Sequence, residues 1–262
     1  MKIAFQNDNV TLWHGDCREV LASLSGVNLV FTSPPYNQNL QAFKPSGMHK
    51  ESRWVERISS SYYDTMPESD YQEWQIAVCD AAWGACAPDA SMFYNHKLRW
   101  RDSVPIFPTE WLLRTKWVMR QELIWARDGS VTQNARMFPP AEERIYWMRK
   151  DAWKWTRADT TWLSVWKIKS AANTEHPVAF PVELPTRAIV CCTEDGDTVL
   201  DPFCGSGTTL IAALETGRKA IGIEIDERWV TVARQRLERW HAQGRLDFGT
   251  ANTKTTDAEG NP

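Results

Sequence analysis

Two periods of apolar and polar residues run through this chain, and the switches between them mark its elements. Val10–Trp13 alternates as a strand, a short helix follows over about Cys17–Leu24, and the apolar run VNLVF at Val27–Phe31 reads as a second strand. Pro34 and Pro35 stop that strand, because each fixes φ and removes an N–H donor. Residues from 37 to about 63 show no clear period and read as a long functional or disordered loop. Ser69 is placed as the cap of the next helix, with Gln72 in the capping-box position and Tyr71, Trp74, Val78, Ala81 and Ala82 along one face.

A strand at Ser91–Asn95 and a proline-bounded helix near Glu110–Thr115 lead into three β-like runs, Val118–Ala126, Arg144–Met148 and Thr161–Ile168. The last third is the most regular. A helix from Pro181 to Cys192 precedes the strand Thr198–Phe203, a glycine turn, the helix Thr208–Thr216 and the strand Lys219–Ile225. An amphipathic helix over Asp226–Gln243 then ends at Gly244. The tail 250–262 has no apolar content and is expected to be disordered. Strands alternating with helices at both ends predict an open α/β sheet. A single domain over 1–249 is expected.

Composition narrows the class. With 262 residues, 43% hydrophobic and 24% charged, the chain buries a full core and is neither a coiled coil, a collagen nor a disordered protein. No apolar run approaches the ~18 residues of a membrane span. The opening MKIAFQNDNV turns polar too early for a secretory leader, so a cytoplasmic protein is expected. The six cysteines include no C-x-x-C pair and read as free buried thiols, with no metal site. The net charge is −3, yet Lys97–Lys169 holds 15 Lys and Arg against 8 Asp and Glu. That Trp-rich segment is the candidate polyanion-binding face, with Arg99, Arg101 and Lys116 as candidate DNA contacts.

The run VLDPFCGSGTT at 199–209 reads as strand, turn and helix N-terminus. Gly205 and Gly207 permit a tight turn and close approach of a ligand. Glu224, at the tip of the next strand, is placed to accept the hydroxyls of a ribose. NAD fits poorly: Leu210 stands where a dinucleotide fold needs its third glycine, and Asp201 would repel a pyrophosphate. Asp201 instead suits a cofactor with a positive end, such as S-adenosylmethionine. Phe203, Thr208 and Asp226 are assigned to the same cofactor site.

TSPPYN at 32–37 ends the apolar strand in a rigid, acceptor-rich corner. Tyr36 offers a stacking face, while the Ser33 hydroxyl and Pro34 carbonyl can accept both hydrogens of an aromatic amine. Drawing that nitrogen toward tetrahedral geometry would free its lone pair for a sulfonium methyl.

TSPPYN followed far downstream by DPFCGSGTT resembles the DNA amino-methyltransferases of the permuted beta class, which methylate cytosine N4 or adenine N6. The resemblance covers most of the chain. HGD at 14–16 resembles that family's acidic turn near the cofactor adenine, assigning Asp16 to cofactor binding, and HPVAFP at 176–181 resembles its motif before the cofactor strand. NHK at 95–97 and the stretch EERIYWMRK ending at Lys150 resemble later sheet strands. The resemblance implies a Rossmann-like sheet in circularly permuted order, ending in a β-hairpin, with a variable target-recognition region in the Trp-rich middle. It also implies S-adenosylmethionine as cofactor, double-stranded DNA as partner, base flipping, and Ser33, Pro34, Pro35 and Tyr36 as the catalytic residues. Ser33, where familiar adenine enzymes carry Asp, favours cytosine N4 over adenine N6. Ring-carbon methylation needs a Pro-Cys nucleophile, which this chain lacks. An RNA or small-molecule methyltransferase and a non-catalytic nucleic-acid-binding module are the other readings. The oligomeric state, monomer or homodimer, stays open.

Overall fold

In a computed structural model, described over residues 1–37, 66–129, 138–153, 155–156, 162–170 and 180–242, five parallel strands form the centre of one sheet. In chain order the first half comprises β1 (Lys2–Gln6), β2 (Val10–His14), α1 (Cys17–Leu21), β3 (Val27–Thr32), α2 (Glu68–Ala85) and β4 (Cys86–His96). A small hairpin follows, β5 (Arg99–Arg101) and β6 (Val104–Ile106), then α3 (Thr109–Leu112), β7 (Val118–Ala126), β8 (Glu142–Arg149) and β9 (Val165–Lys167). The chain closes with α4 (Glu183–Cys192), β10 (Thr198–Asp201), α5 (Thr208–Glu215), β11 (Lys219–Glu224) and α6 (Glu227–Ala242).

Among the described residues the sheet has nine strands in the order β1-β2-β11-β10-β3-β4-β8-β7-β9. The run from β2 to β4 is parallel throughout, whereas β1, β8 and β7 join antiparallel. This is the expected α/β, Rossmann-like sheet, with the antiparallel β7–β8 pair beyond its parallel core. Leu29 and Phe31 of β3 face one core with α4, α5 and α6, while Val30 faces the other with α1, α2 and α3. Because both faces are covered, β3 reads as a continuous apolar run rather than an alternating one. In α6, Trp229, Val230, Ala233 and Leu237 form the buried stripe of an amphipathic helix.

The chain order leaves β10 toward β11 on one side and reaches β4 from β3 on the other. β10 and β3 are neighbours, so their carboxyl ends flank a topological switch point, where open α/β sheets bind ligands. Close packing holds the turn above β10. A Cβ on Gly222 of β11 would meet Leu210 Cδ1 at 2.6 Å and Cys204 Sγ at 2.9 Å. The small residue that a dinucleotide fold puts on its helix therefore stands here on the strand.

Several expectations change. Ser69 does not cap α2. Pro67 precedes that helix, and Ser69 lies in its first turn with its hydroxyl donating to Asp70. Gln72 donates to Glu68, which is drawn into an ion pair with Arg99. Edge strand β1 gives no sequence signal because its residues are mixed and half exposed. The β5–β6 hairpin turns on Asp102 and Ser103, at φ 50° and 65°, without the glycine that marks such turns. α1 ends three residues early, at Leu21, and α3 is shorter than expected. All six cysteines are free and buried. No helix among the described residues is long and apolar enough to cross a membrane. The unpatterned loop after Asn37, residues 176–179 of HPVAFP, Gly244 and the tail lie outside the described residues.

At the base of that loop Asn37 stands at φ 53°, a left-handed conformation that Asn tolerates. Its side-chain amide donates to the Met66 carbonyl at 3.0 Å and accepts from the Met66 N–H at 2.9 Å. The two ends of the intervening segment are thus joined beside Tyr36.

Candidate active site

Asp201 ends β10 and is 1% exposed. Its carboxylate accepts from the Thr32 hydroxyl at 2.9 Å, the Thr209 hydroxyl at 2.7 Å and the Phe203 N–H at 3.1 Å. Burial pushes its pKa up to about 6. All three of these donors belong to the protein, so Asp201 is satisfied within the turn itself. Sealed behind the turn, it locks the end of β3 to the start of α5 and contributes a negative field.

The chain then turns at Gly205 and Gly207, with φ of 49° and 81°, which favour glycine. Glu224, 3% exposed at the end of β11, accepts from the backbone N–H of Gly205 at 2.9 Å and of Asp226 at 2.8 Å. Burial raises it to about 7 against those two hydrogen bonds. Asp226 and Asp16 form matching devices at the starts of α6 and α1. Each accepts from the N–H two residues on and ion-pairs with that residue's guanidinium, Arg228 and Arg18 respectively. Hydrogen bonds from Arg18 hold Asp16 below the ordinary carboxylate range. Gly15 N–H donates to the Glu224 carbonyl, so Asp16 lies directly beside the Glu224 strand end. Phe203 packs edge-on to Trp74, their centroids 5.6 Å apart, and Thr208 accepts from Arg236. Two buried carboxylates, neither ion-paired among the described residues, make an electron-rich crevice. That donor set fits a cofactor with a cationic end and a ribose diol.

The Ser-Pro-Pro-Tyr corner leaves β3 at the same crevice, tied to the turn by the Thr32–Asp201 bond. The Tyr36 hydroxyl lies 2.8 Å from Ser33 Oγ, donates to Glu143 Oε2 at 3.1 Å and accepts from Asn95 Nδ2 at 3.0 Å. Glu143 also accepts from Asn95 at 3.0 Å and pairs with Arg127 at 3.3 Å. Beneath the Tyr36 ring lies buried His96, with centroids 4.3 Å apart. Burial, reinforced by Arg99, keeps His96 well below its usual pKa and neutral. Its Nδ1 lies 2.7 Å from the Lys97 carbonyl and its Nε2 2.9 Å from the Tyr71 hydroxyl. Tyr71 also lies 2.7 Å from the Pro35 carbonyl, which braces the corner from below.

Asn95, His96, Tyr71, Arg127 and Glu143 were not singled out as site residues. The motifs NHK and EERIYWMRK contained three of them, but their place depends on tertiary register. β8 runs antiparallel to β4, pairing His96 with Arg144, and so brings its amino end to the carboxyl ends of β3 and β4.

The proposed DNA contacts separate. Arg99 is 5% exposed and donates both terminal nitrogens to Glu68, at 2.8 and 2.7 Å, so it is a structural cation and not a phosphate ligand. Lys116 lies near Trp83 at the end of α2, and its N–H donates to Asp80. That is the amino end of β4, whereas the corner lies at the carboxyl ends of β3 and β4. Arg101 is exposed on the hairpin that follows β4.

Comparison with known proteins agrees with this geometry. The family described as DNA methylase matches residues 27–235. Type II methyltransferase M.ScaI of Streptomyces caespitosus is 25% identical over 89% of this chain and 83% of its own length. DNA adenine methyltransferase YhdJ of Escherichia coli is 23% identical over 89% of this chain and 84% of its own. Among solved structures, the cytosine-N4-specific PvuII DNA methyltransferase superposes with a TM-score of 0.72 at 21% identity, covering 90% of this chain and 88% of its own. The putative DNA modification methylase of Thermus thermophilus complexed with S-adenosyl-L-methionine gives 0.61 at 25% identity, covering 88% and 95%. The matched span contains both the corner and the glycine turn, and the chain accordingly belongs to the DNA methylase family, as a DNA methyltransferase that moves a methyl group from S-adenosylmethionine to an amino group of cytosine N4 or adenine N6.

Proposed function

We propose that this enzyme methylates the N4 amine of a cytosine flipped out of double-stranded DNA, as a site-specific modification methyltransferase of the restriction-modification kind acting in the cytoplasm. The Thr32–Asp201 hydrogen bond carries this reading, because it joins the end of the catalytic corner to the cofactor turn in one crevice. The cofactor, when bound, supplies a methyl on a positively charged sulfur. Glu224 accepts from its ribose, with Asp16 and Asp226 bordering the same strand ends, while Phe203, Gly205, Gly207 and Thr208 shape the turn around it.

Ser33 Oγ and the Pro34 carbonyl accept the two amine hydrogens, and Pro35 with Pro34 keeps those acceptors rigid. Tyr36, whose ring packs on His96, stacks the target base on its other face. The amine of a paired base is blocked, so the base leaves the stack at a cost of a few kcal/mol. Stacking on an aromatic ring returns ~1–3 kcal/mol of that. Ser33, a hydroxyl where an acid would suit adenine, favours cytosine.

The test is nucleoside mass spectrometry after incubation with S-adenosylmethionine and duplex DNA, RNA or free nucleosides. N4-methylcytosine from duplex DNA is expected. N6-methyladenine alone would overturn the cytosine assignment, and transfer only to RNA or nucleosides would overturn the DNA assignment.

A further inference from the structure

We infer that Glu143 is a positioning residue, which fixes the Ser33 hydroxyl as a hydrogen-bond acceptor toward the substrate amine. The inference rests on the proposed role of Ser33 and adds the group that enforces it. An ionised carboxylate only accepts, so the single Tyr36 hydrogen goes to Glu143 Oε2 at 3.1 Å. The 2.8 Å contact between Ser33 Oγ and Tyr36 Oη then needs the Ser33 hydrogen. Ser33 therefore donates inward, and with Asn95 Nδ2 near one side of its oxygen at 3.4 Å a lone pair is left for the crevice.

Asn95 reinforces this polarity. Its Nδ2 donates to both Tyr36 and Glu143, whereas the opposite amide orientation would set its oxygen against the carboxylate. Arg127, on the far side of Glu143, pairs with its other carboxylate oxygen at 3.3 Å. Asn95 Oδ1 remains buried without a hydrogen-bond partner among the described residues, in a residue 1% exposed.

Glu143→Gln keeps the shape and reverses the polarity. Its amide N–H can donate to Tyr36, Tyr36 can then donate to Ser33, and the Ser33 hydrogen turns against the amine. The expected result is a kcat at least 100-fold lower, with the melting temperature near wild type and the affinities for S-adenosylmethionine and DNA within about twofold. Tyr36→Phe breaks the chain at its middle. It should lower kcat at least tenfold, and Glu143→Gln added to it should change nothing further. A wild-type kcat in Glu143→Gln, while Ser33→Ala is inactive, overturns the inference and leaves the reading of the corner intact. Additive losses in the double variant, or a matching loss of cofactor affinity, overturn it as well. Full activity in Ser33→Ala overturns the underlying reading and this inference with it.

Discussion

Tyr36 is held in two ways at once, by its ring against His96 and by its hydroxyl against Ser33, Asn95 and Glu143. Removing the ring takes away the proposed base platform but touches none of the hydrogen bonds around the cofactor turn. Tyr36→Ala should therefore bind S-adenosylmethionine as wild type in calorimetry and lose kcat by orders of magnitude, since each 1.36 kcal/mol of lost stabilisation is about tenfold in rate. Wild-type turnover would reduce the corner to a turn. Glu224 and Asp201 call for a different experiment. Both carry folded pKa values, about 7 and about 6, raised above those of an unfolded carboxyl. The folded state thus binds their protons more tightly, and their contribution to stability is present below about pH 4 and lost as pH rises through 6 to 7. The cofactor-free enzyme should lose melting temperature over that interval, and Glu224→Gln should lose less. A ribose donating to Glu224 favours the ionised form. Cofactor binding at pH 6–7 should accordingly release protons, seen as a dependence of the calorimetric heat on buffer ionisation enthalpy. Heats identical across buffers would count against the Glu224 contact.

Among the elements, those legible from sequence were the ones whose pattern is local. β3, β10, α5, β11 and α6 announce themselves by apolar runs, glycines and a helical stripe, and the chain folds them close to those bounds. β1 and the β5–β6 hairpin have no such pattern, because they are short and exposed on mixed faces. Glu143 and Asn95 were hidden for another reason. Each is an ordinary polar residue at a strand end until the antiparallel register of β8 against β4 brings them together. Arg99 misled for a related reason: its charge counted toward a basic face, yet Glu68, 31 residues away, consumes it inside the fold. Arg99→Met should consequently cost of order 3 kcal/mol in chemical denaturation, as breaking a buried ion pair does, and leave the salt dependence of DNA binding unchanged. The contact of β11 with α5 gives a second expectation. Gly222→Ala should destabilise by about 1–3 kcal/mol through overpacking, with part of the loss recovered when Leu210 is also shortened to Ala. Independent, additive losses would show that the two do not share one space.

Across the whole molecule, charge is unevenly distributed, with the basic excess gathered between Lys97 and Lys169 and acid elsewhere. The fold divides even that segment. Arg101 follows the carboxyl end of β4, near the crevice, while Lys116 lies at the amino end of the same strand beside Trp83. If Arg101 meets a phosphate, Arg101→Ala should flatten the log–log dependence of DNA affinity on salt by about 0.9, and Lys116→Ala should leave it unchanged. The reverse result would put the DNA at the amino ends of the strands.

The Asn37–Met66 amide pair bears on how the scaffold takes up changes in chain length. Asn37 and Met66 meet at those hydrogen bonds, so the chain is closed at this joint whatever its length between them. The entropy of closing a ring grows with the logarithm of its length, about 0.6 kcal/mol for each doubling. Changes of length between the two residues should therefore add little closure entropy, while the joint itself stays fixed one residue from Tyr36.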